Sequence, residues 1–423
     1  MVASYTTEHL RAKARRFLPR MVFDYVDGGA GGDSALNRNR MALDAVRLLP
    51  QALINCTSCS TQLTLFGSTF AHPFGVAPMG LANLVRPGTD EALALAAARA
   101  NIPYVLSTAG TTSIEKITKA APEHAWFQLY VGEDPAITDD LIERAERARI
   151  SVLFVTVDVP APGKRVRDLV NGLTLPLKPS AAIVADAAFH PKWILQMLGG
   201  APKLETIAPY FRDKSEKPHA SQIARRVSSP RFDWAELGRI RRKWPGFLIA
   251  KGILNPQDAV RAADLGVDGI VVSNHGGRQL DSAPASIEML PFVSDAVGGR
   301  VKVLFDSGVR SGDDVARALA YGADFVLVGR PFLYSIAAHG LVAGPDLLIN
   351  ILARELENTL IHLGCPELTH LGRDHVWCRE LGERGPVGAV ELRDRTLQRF
   401  ANNPRSSHEY ESDHAHCVPS AGL

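Results

Sequence analysis

Eight short apolar runs, each followed by a stretch of helical periodicity, constrain this chain more than any other feature. The runs are FGVAP (74–78), PYVLS (103–107), AWFQLY (125–130), VLFVTVD (152–158), FLIAK (247–251), GIVVS (269–273), VKVLFD (301–306) and FVLVG (325–329). They are rich in the β-branched and aromatic residues that suit buried strands. Between them lie stretches such as DEALALAAARAN and DDLIERAERARI, with apolar residues at helical spacing and charges on the opposite face. NPQDAVRAADLG and SGDDVARALAYG begin with Asn or Ser, carry acidic residues in the first turn and stop at glycine, as capped helices do. Strand and helix alternating eight times predicts an α/β fold, a closed (β/α)8 TIM barrel. The competitor is a doubly wound sheet, which usually carries a glycine-rich nucleotide turn. Neither G-x-G-x-x-G nor a Walker lysine motif is present.

Three pieces fall outside the repeat. Residues 1–70 read as an N-terminal helical extension followed by a short β element. Residues 173–232 separate the fourth and fifth strands, too long for a structureless loop in a packed domain, and read as an inserted lid or docking element. The tail at 385–423 is polar and reads as disordered, so the barrel domain is expected to span 1–384. His414, His416 and Cys417 in that tail could bind metal, but read as a solvated end.

Bulk properties narrow the function by exclusion. Forty-seven basic against 45 acidic residues leave a net charge of +2, so no general field invites nucleic acid and anion recognition must be local. Five sparse cysteines, Cys56, Cys59, Cys365, Cys378 and Cys417, do not make a secreted disulfide framework, and the lone C-x-x-C at 56–59 lacks a second pair at zinc spacing. No metal is expected. The N-terminus does not read as a signal peptide and no apolar run is long enough to span a bilayer, so the expected compartment is the cytoplasm.

The ends of the predicted strands carry Pro78, Ser107, Gln128, Tyr130, Thr156, Asp158, Lys251, Ser273, His275, Asp306, Gly329 and Arg330. Polar groups are costly to bury without partners, and so many at one barrel mouth predict a large polar ligand. DSGVRSGDD (306–314) and Gly329–Arg330 place glycines and two arginines where barrels bind phosphate. In VSNHGGRQLD (272–281), His275 can take a proton near neutral pH and Arg278 can grip a carboxylate with two hydrogen bonds. Asp158, Lys164 and Arg165 follow the fourth strand. A carboxylate beside His275 would make it a better base; alternatively Asp158 and Arg165 pair with each other.

These residues, together with F-D-Y (23–25), A-P (77–78), L-S-T (106–108), F-Q-L-Y (127–130), T-V-D (156–158), K-G (251–252) and the string S-N-H-G-G-R-Q-L-D (273–281), resemble the FMN-dependent 2-hydroxy acid dehydrogenases and oxidases, in order from about residue 5 to 380. The resemblance implies FMN as cofactor and oxidation of a lactate- or mandelate-like L-2-hydroxy acid. It implies His275 as base, Asp158 on its other ring nitrogen, and Arg278, Arg165 and the Tyr25 hydroxyl on the substrate carboxylate. It implies Tyr130 on the substrate hydroxyl and Lys251 beside the flavin pyrimidine. Pro78, Met79, Gly80, Ser107, Gln128, Thr156 and Ser273 would hold the ring and ribityl chain, and Asp306, Gly308, Arg310, Gly329 and Arg330 the phosphate end. The chain departs from one branch of the family in having Ala109 in place of tryptophan, which implies a wider substrate pocket. Gly80 follows the dehydrogenase pattern, which favours a quinone or other acceptor over oxygen.

The insert resembles that of the lactate and mandelate dehydrogenase branches, which in the mandelate enzyme docks on a membrane. Here Trp193, Ile194, Leu195, Met197 and Leu198, with Lys178, Lys192 and Lys203, make either an interfacial patch or the packed face of a soluble lid. A peripheral location on the inner face of the cell membrane and a homotetramer are what the family implies. The competing functions are an oxygen-using oxidase releasing peroxide, an enzyme of modified peptides, and an inactive barrel that only binds.

Overall fold

The structure is a computed structural model that describes residues 4–173, 180–200, 202–211 and 228–377. Eight parallel strands form a closed barrel: β1 (Phe74–Val76), β2 (Tyr104–Ser107), β3 (Ala125–Tyr130), β4 (Val152–Thr156), β5 (Phe247–Ile253), β6 (Gly269–Val272), β7 (Lys302–Phe305) and β8 (Phe325–Val328). Each pairs with the next, and Val328 lies opposite Val76 where β8 closes on β1. The predicted caps are in place: Asn255 accepts from the Gln257 N–H at 2.9 Å and Ser311 from the Asp314 N–H at 3.2 Å.

Strand periodicity explains why the site forms at one end. Side chains alternate across a strand, so residues two apart face the same way. Val105, Trp126, Phe154, Ile249, Val271 and Leu304 fill the barrel interior. Two residues after each stands a polar one with the same inward direction: Ser107, Gln128, Thr156, Lys251, Ser273 and Asp306. The opposite end is plugged by a hairpin, Leu63–Leu65 with Ser68–Phe70, which adds Leu65 and Phe70 to that interior and sets Phe70 edge-on to Trp126 at 5.7 Å. The interior is therefore apolar and filled below, polar and open above.

The N-terminal extension is helical as expected: α1 (Thr7–Phe17), α2 (Arg20–Asp27) and α3 (Ser34–Ala45). Asp27 ties it to the barrel, accepting from Arg11 at 2.6 and 2.9 Å and from the Tyr334 hydroxyl at 2.7 Å. Burial works to raise the Asp27 carboxyl, but these hydrogen bonds overcome it and pull the pKa down to about 2.

The described parts of the insert include short helices at Ala181–Ala188 and Pro191–Gln196. Its apolar residues divide between the two sequence readings. Trp193 is 8% exposed and its indole N–H donates to the Leu84 carbonyl at 3.1 Å, and Ile194 and Met197 pack on the core. Phe189 and Leu198 are 84% and 75% exposed, with Val184 and Leu195 exposed beside them in sequence. Lys178 and the 385–423 tail lie outside the described residues. Among the described residues no helix is long and apolar enough to cross a membrane, and no group of three or more ligand-type side chains is arranged to hold a metal ion.

Candidate active site

A cavity of about 520 Å³ opens at the C-terminal end of the strands. His275 stands in it on a backbone that is costly for a side chain-bearing residue: φ is +59° at His275, +65° at Gly276 and +73° at Gly277. Three successive left-handed residues persist only where the surroundings hold them. Asn274 does much of this, exchanging side-chain amide hydrogen bonds with Asn39 at 2.7 and 2.8 Å and accepting from the Gly277 N–H at 3.0 Å. A Cβ on Gly276 would stand 2.6 Å from Arg330 Nη1, and one on Gly277 would stand 2.8 Å from Leu36 Cα. The paired glycines let α3 and Arg330 close around the loop.

The imidazole is bracketed on both nitrogens. Nδ1 lies 3.1 and 3.3 Å from the Asp158 carboxylate oxygens, and Nε2 lies 3.2 Å from the Tyr130 hydroxyl. Asp158 pairs with His275 and not with Arg165, which settles the alternative left open by the sequence. Burial works to raise Asp158, but the His275 imidazole and the Lys251 charge outweigh it and hold the pKa below the usual carboxylate value. Gly252 makes this approach feasible. It sits in a strand irregularity with φ +110°, and a Cβ there would stand 2.6 Å from Asp158 Cβ.

Lys251 is buried, 3.0 Å from Asp306 and 3.2 Å from the Ser273 hydroxyl. Burial opposes its charge, yet Asp306 and Asp158 more than compensate and leave its pKa raised. Gln128 donates to Thr156 at 2.9 Å and accepts from Ser107 at 2.8 Å, a polar chain across three strand ends. Burial pushes the Tyr130 hydroxyl up to about 12, so it stays protonated throughout the working pH range.

Two guanidinium groups face the cavity from different loops. Arg278 Nη1 donates to the carbonyls of Tyr25 and Gly28 at 2.8 and 3.0 Å, and its guanidinium lies over the Tyr25 ring at 5.0 Å. Burial, and then the neighbouring Arg165 charge, push Arg278 down to about 9. Arg165 Nε is buried without a partner. A buried Arg278 beside a second cation whose Nε has no partner makes a fitting place for an anion. The Tyr25 hydroxyl donates to the Gly80 carbonyl at 3.0 Å.

Of the residues singled out from sequence, Tyr25, Pro78, Met79, Gly80, Gln128, Tyr130, Thr156, Arg165, Lys251, His275, Arg278, Asp306, Gly308, Arg310, Gly329 and Arg330 line this cavity. Ser107 and Ser273 stand behind it, holding Gln128 and Lys251, and Asp158 stands behind His275. Sequence reasoning passed over Asp168, which lines the cavity 4.0 Å from Arg165, and Gln279, which accepts from the Gly163 N–H at 2.9 Å. Their signals were available: Asp168 follows Arg165 at helical spacing, and Gln279 lies inside the quoted S-N-H-G-G-R-Q-L-D string.

The donor set fits a flavin mononucleotide. Gln128, Thr156 and Lys251 offer both donors and acceptors for a planar heterocycle. Gly308, Arg310, Gly329 and Arg330 all line the cavity, the last two at the start of the helix Arg330–His339, where an anion is favoured. The chain matches the family described as FMN-dependent dehydrogenase over residues 14–378. It is 39% identical to the L-lactate dehydrogenase of Pseudomonas entomophila (strain L48) over 384 residues, covering 90% of this chain and 100% of that one. It is also 39% identical to the L-lactate dehydrogenase of Caulobacter sp. (strain K31) over 379 residues, covering 88% and 98%. Among solved structures it is similar to the monotopic membrane protein (S)-mandelate dehydrogenase, with TM-score 0.85, 35% identity, and coverage of 89% of this chain and 100% of that chain. A mandelate oxidase aligns with TM-score 0.75 and 36% identity, covering 87% and 96%. The chain belongs to the FMN-dependent dehydrogenase family, and FMN is its cofactor.

Proposed function

We propose that this enzyme, an FMN-dependent oxidoreductase of L-2-hydroxy acids, works through His275 as base and hands its electrons to a membrane-borne acceptor such as a quinone. The observation that carries the base assignment is the bracket on His275: Asp158 on Nδ1 and Tyr130 on Nε2. Asp158 fixes the ring so that Nε2 faces the cavity, and its charge stabilises the imidazolium formed when a proton is taken. Arg278 and the orphaned Arg165 donor receive the substrate carboxylate, with the Tyr25 hydroxyl beside them. Tyr130, held as a neutral hydroxyl, donates to the substrate oxygen. Lys251 brings a permanent positive charge to the barrel mouth, where added electron density needs stabilising. Bound FMN supplies the redox chemistry, accepting the two electrons lost by the C2 carbon.

The acceptor reading is supported by Gly80, by the exposed Val184, Phe189, Leu195 and Leu198 of the insert, and by the monotopic membrane character of the mandelate dehydrogenase neighbour. The same surface supports peripheral attachment to a membrane, which flotation with anionic lipid vesicles tests. A second reading, an oxidase releasing hydrogen peroxide, is supported by the mandelate oxidase neighbour. Anaerobic titration of the flavin band with L-2-hydroxy acids, followed by admission of air, separates the two. Bleaching with slow recovery supports the dehydrogenase, fast recovery with peroxide the oxidase, and no bleaching by any L-2-hydroxy acid overturns the substrate assignment.

A further inference from the structure

Ser307, directly after Asp306 at the end of β7, lines the cavity on a backbone that serine seldom adopts, with φ +88°. The next residue is also left-handed, at +92°, but it is Gly308, the one residue type that takes this conformation at little cost. A residue with a side chain stays in that region only where its surroundings hold it, and such positions gather at functional sites. The hydrogen bonds of Ser307 show what its side chain is kept for.

A hydroxyl has one hydrogen to donate and two lone pairs with which to accept. Ser307 uses all three. It donates to Asp306 Oδ1 at 2.8 Å and accepts from the Gly276 N–H at 3.0 Å. It also accepts at 3.3 Å from the Asn274 N–H, which donates to the Ser286 hydroxyl as well. The hydroxyl is thus fully engaged by the protein around it. From Asp306 the bonds run on: its Oδ2 lies 3.0 Å from Lys251 Nζ, which donates to the Ser273 hydroxyl at 3.2 Å. That hydroxyl accepts in turn from the His275 N–H at 3.0 Å. The circuit leaves the loop at Gly276 and returns to it at His275, joining the ends of β5, β6 and β7. Its two N–H groups flank the His275 Cα, so the backbone on both sides of that residue is tied to Lys251.

We propose that Ser307 is a positioning residue for substrate oxidation: its hydroxyl couples the His275 loop to the Asp306–Lys251 pair and fixes the spacing between the base and the positive charge at the flavin. The inference rests on the roles given to His275 and Lys251 above and deepens them. Taking the proton and accepting the electrons draw on groups from different strands, and a misplacement of about 1 Å can slow such a reaction about a hundredfold. The bond donated to Asp306 also sets a hydroxyl dipole against that carboxylate, which leaves the Lys251 charge less offset. Neither Arg278 nor Arg165 is a partner of the hydroxyl, so the grip on the substrate carboxylate does not depend on it.

The test compares Ser307→Ala and Ser307→Gly in the full-length holoenzyme, by anaerobic stopped-flow absorbance with (S)-mandelate and L-lactate as probes and by the midpoint potential of the bound flavin. Both variants lose the hydroxyl, but glycine accepts the left-handed backbone that alanine strains. The limiting rate of flavin reduction should fall by about tenfold or more in both, with the apparent dissociation constant of the probe little changed. The midpoint potential should fall in both, because the hydroxyl dipole no longer opposes the Asp306 charge. Ser307→Gly decides the matter if the alanine variant does not retain flavin. A wild-type rate in Ser307→Gly would mean that only the backbone at this position matters, and it overturns the inference. So does a potential unchanged in the variants, or a loss confined to the dissociation constant. These failures leave the base assignment intact, whereas a near wild-type reduction rate in His275→Asn overturns that assignment and this inference together.

Discussion

Arg278 and Arg330 donate to the same carbonyl oxygen, that of Gly28 at the end of α2, at 3.0 and 2.8 Å. Arg278 also holds the Tyr25 carbonyl, and Arg330 holds those of Val26 and Gly276. The last turn of α2 is thereby pinned between the arginine proposed for the substrate carboxylate and the one proposed for the flavin phosphate. Hydrogen bonds from a charged donor contribute about 1.5–3 kcal/mol each, so each arginine orders the turn that carries Tyr25 as well as offering donors to a ligand.

Arg278→Met should therefore lower affinity and rate together. The KM for a 2-hydroxy acid should rise by about tenfold or more and kcat should fall, since a carboxylate anchor and the Tyr25 support are lost at once. Arg278→Lys should not rescue it, because an ammonium lacks the planar fork that serves two carbonyls and a ligand together. Steady-state kinetics decide this, and unchanged kinetics in Arg278→Met would remove the residue from the site.

His275→Asn should keep bound flavin but slow its reduction by substrate by about three orders of magnitude or more, within the range a positioned base supplies. Anaerobic stopped-flow absorbance measures that step directly. A near wild-type reduction rate would mean that another group takes the proton.

Gly252→Ala tests the support of the base without touching it. The added methyl presses on Asp158, on a backbone where φ is +110°, so the His275 ring should lose its fixed orientation. The expected result is a fall in kcat of about tenfold to a hundredfold with flavin retained. Full activity in this variant would show that the Asp158–His275 pair tolerates displacement.

The acid side of the stability profile should report Asp27. Its folded pKa of about 2 lies below the ordinary 3.8, so its contribution is complete above pH 4 and is lost as the pH falls from about 4 towards 2. The shift corresponds to about 2 kcal/mol. Asp27→Asn should lower the urea midpoint at pH 7 and weaken its dependence on pH below 4. Parallel wild-type and variant curves across that interval would contradict the assignment.

The barrel and most of its mouth were legible in the chain because both follow from local rules. Strand periodicity sets which residues point inward, so Gln128, Thr156, Lys251 and Asp306 announce themselves as polar residues two places beyond an apolar inward one. Asp168 and Gln279 were not read as site residues because their importance depends on what they meet. Asp168 looks like any carboxylate of a short helix until it is seen on the cavity wall 4.0 Å from Arg165. The insert's own ambiguity had the same origin: one short segment holds both Trp193, which turns inward to Leu84, and Leu198, which does not.

The sequence by itself determined the (β/α)8 architecture, the family, the cofactor and the residue types at the strand ends, since periodicity, capping and the S-N-H-G-G-R-Q-L-D string are carried by neighbours along the chain. Only the tertiary structure decided that Asp158 pairs with His275 and not with Arg165, that Arg165 is left with an orphaned donor, and that Gly28 joins Arg278 to Arg330. The hydrogen bonds among these relations link residues 117 to 302 positions apart. At such separations no local propensity acts, and partners are chosen by which loops the closed barrel brings to one rim.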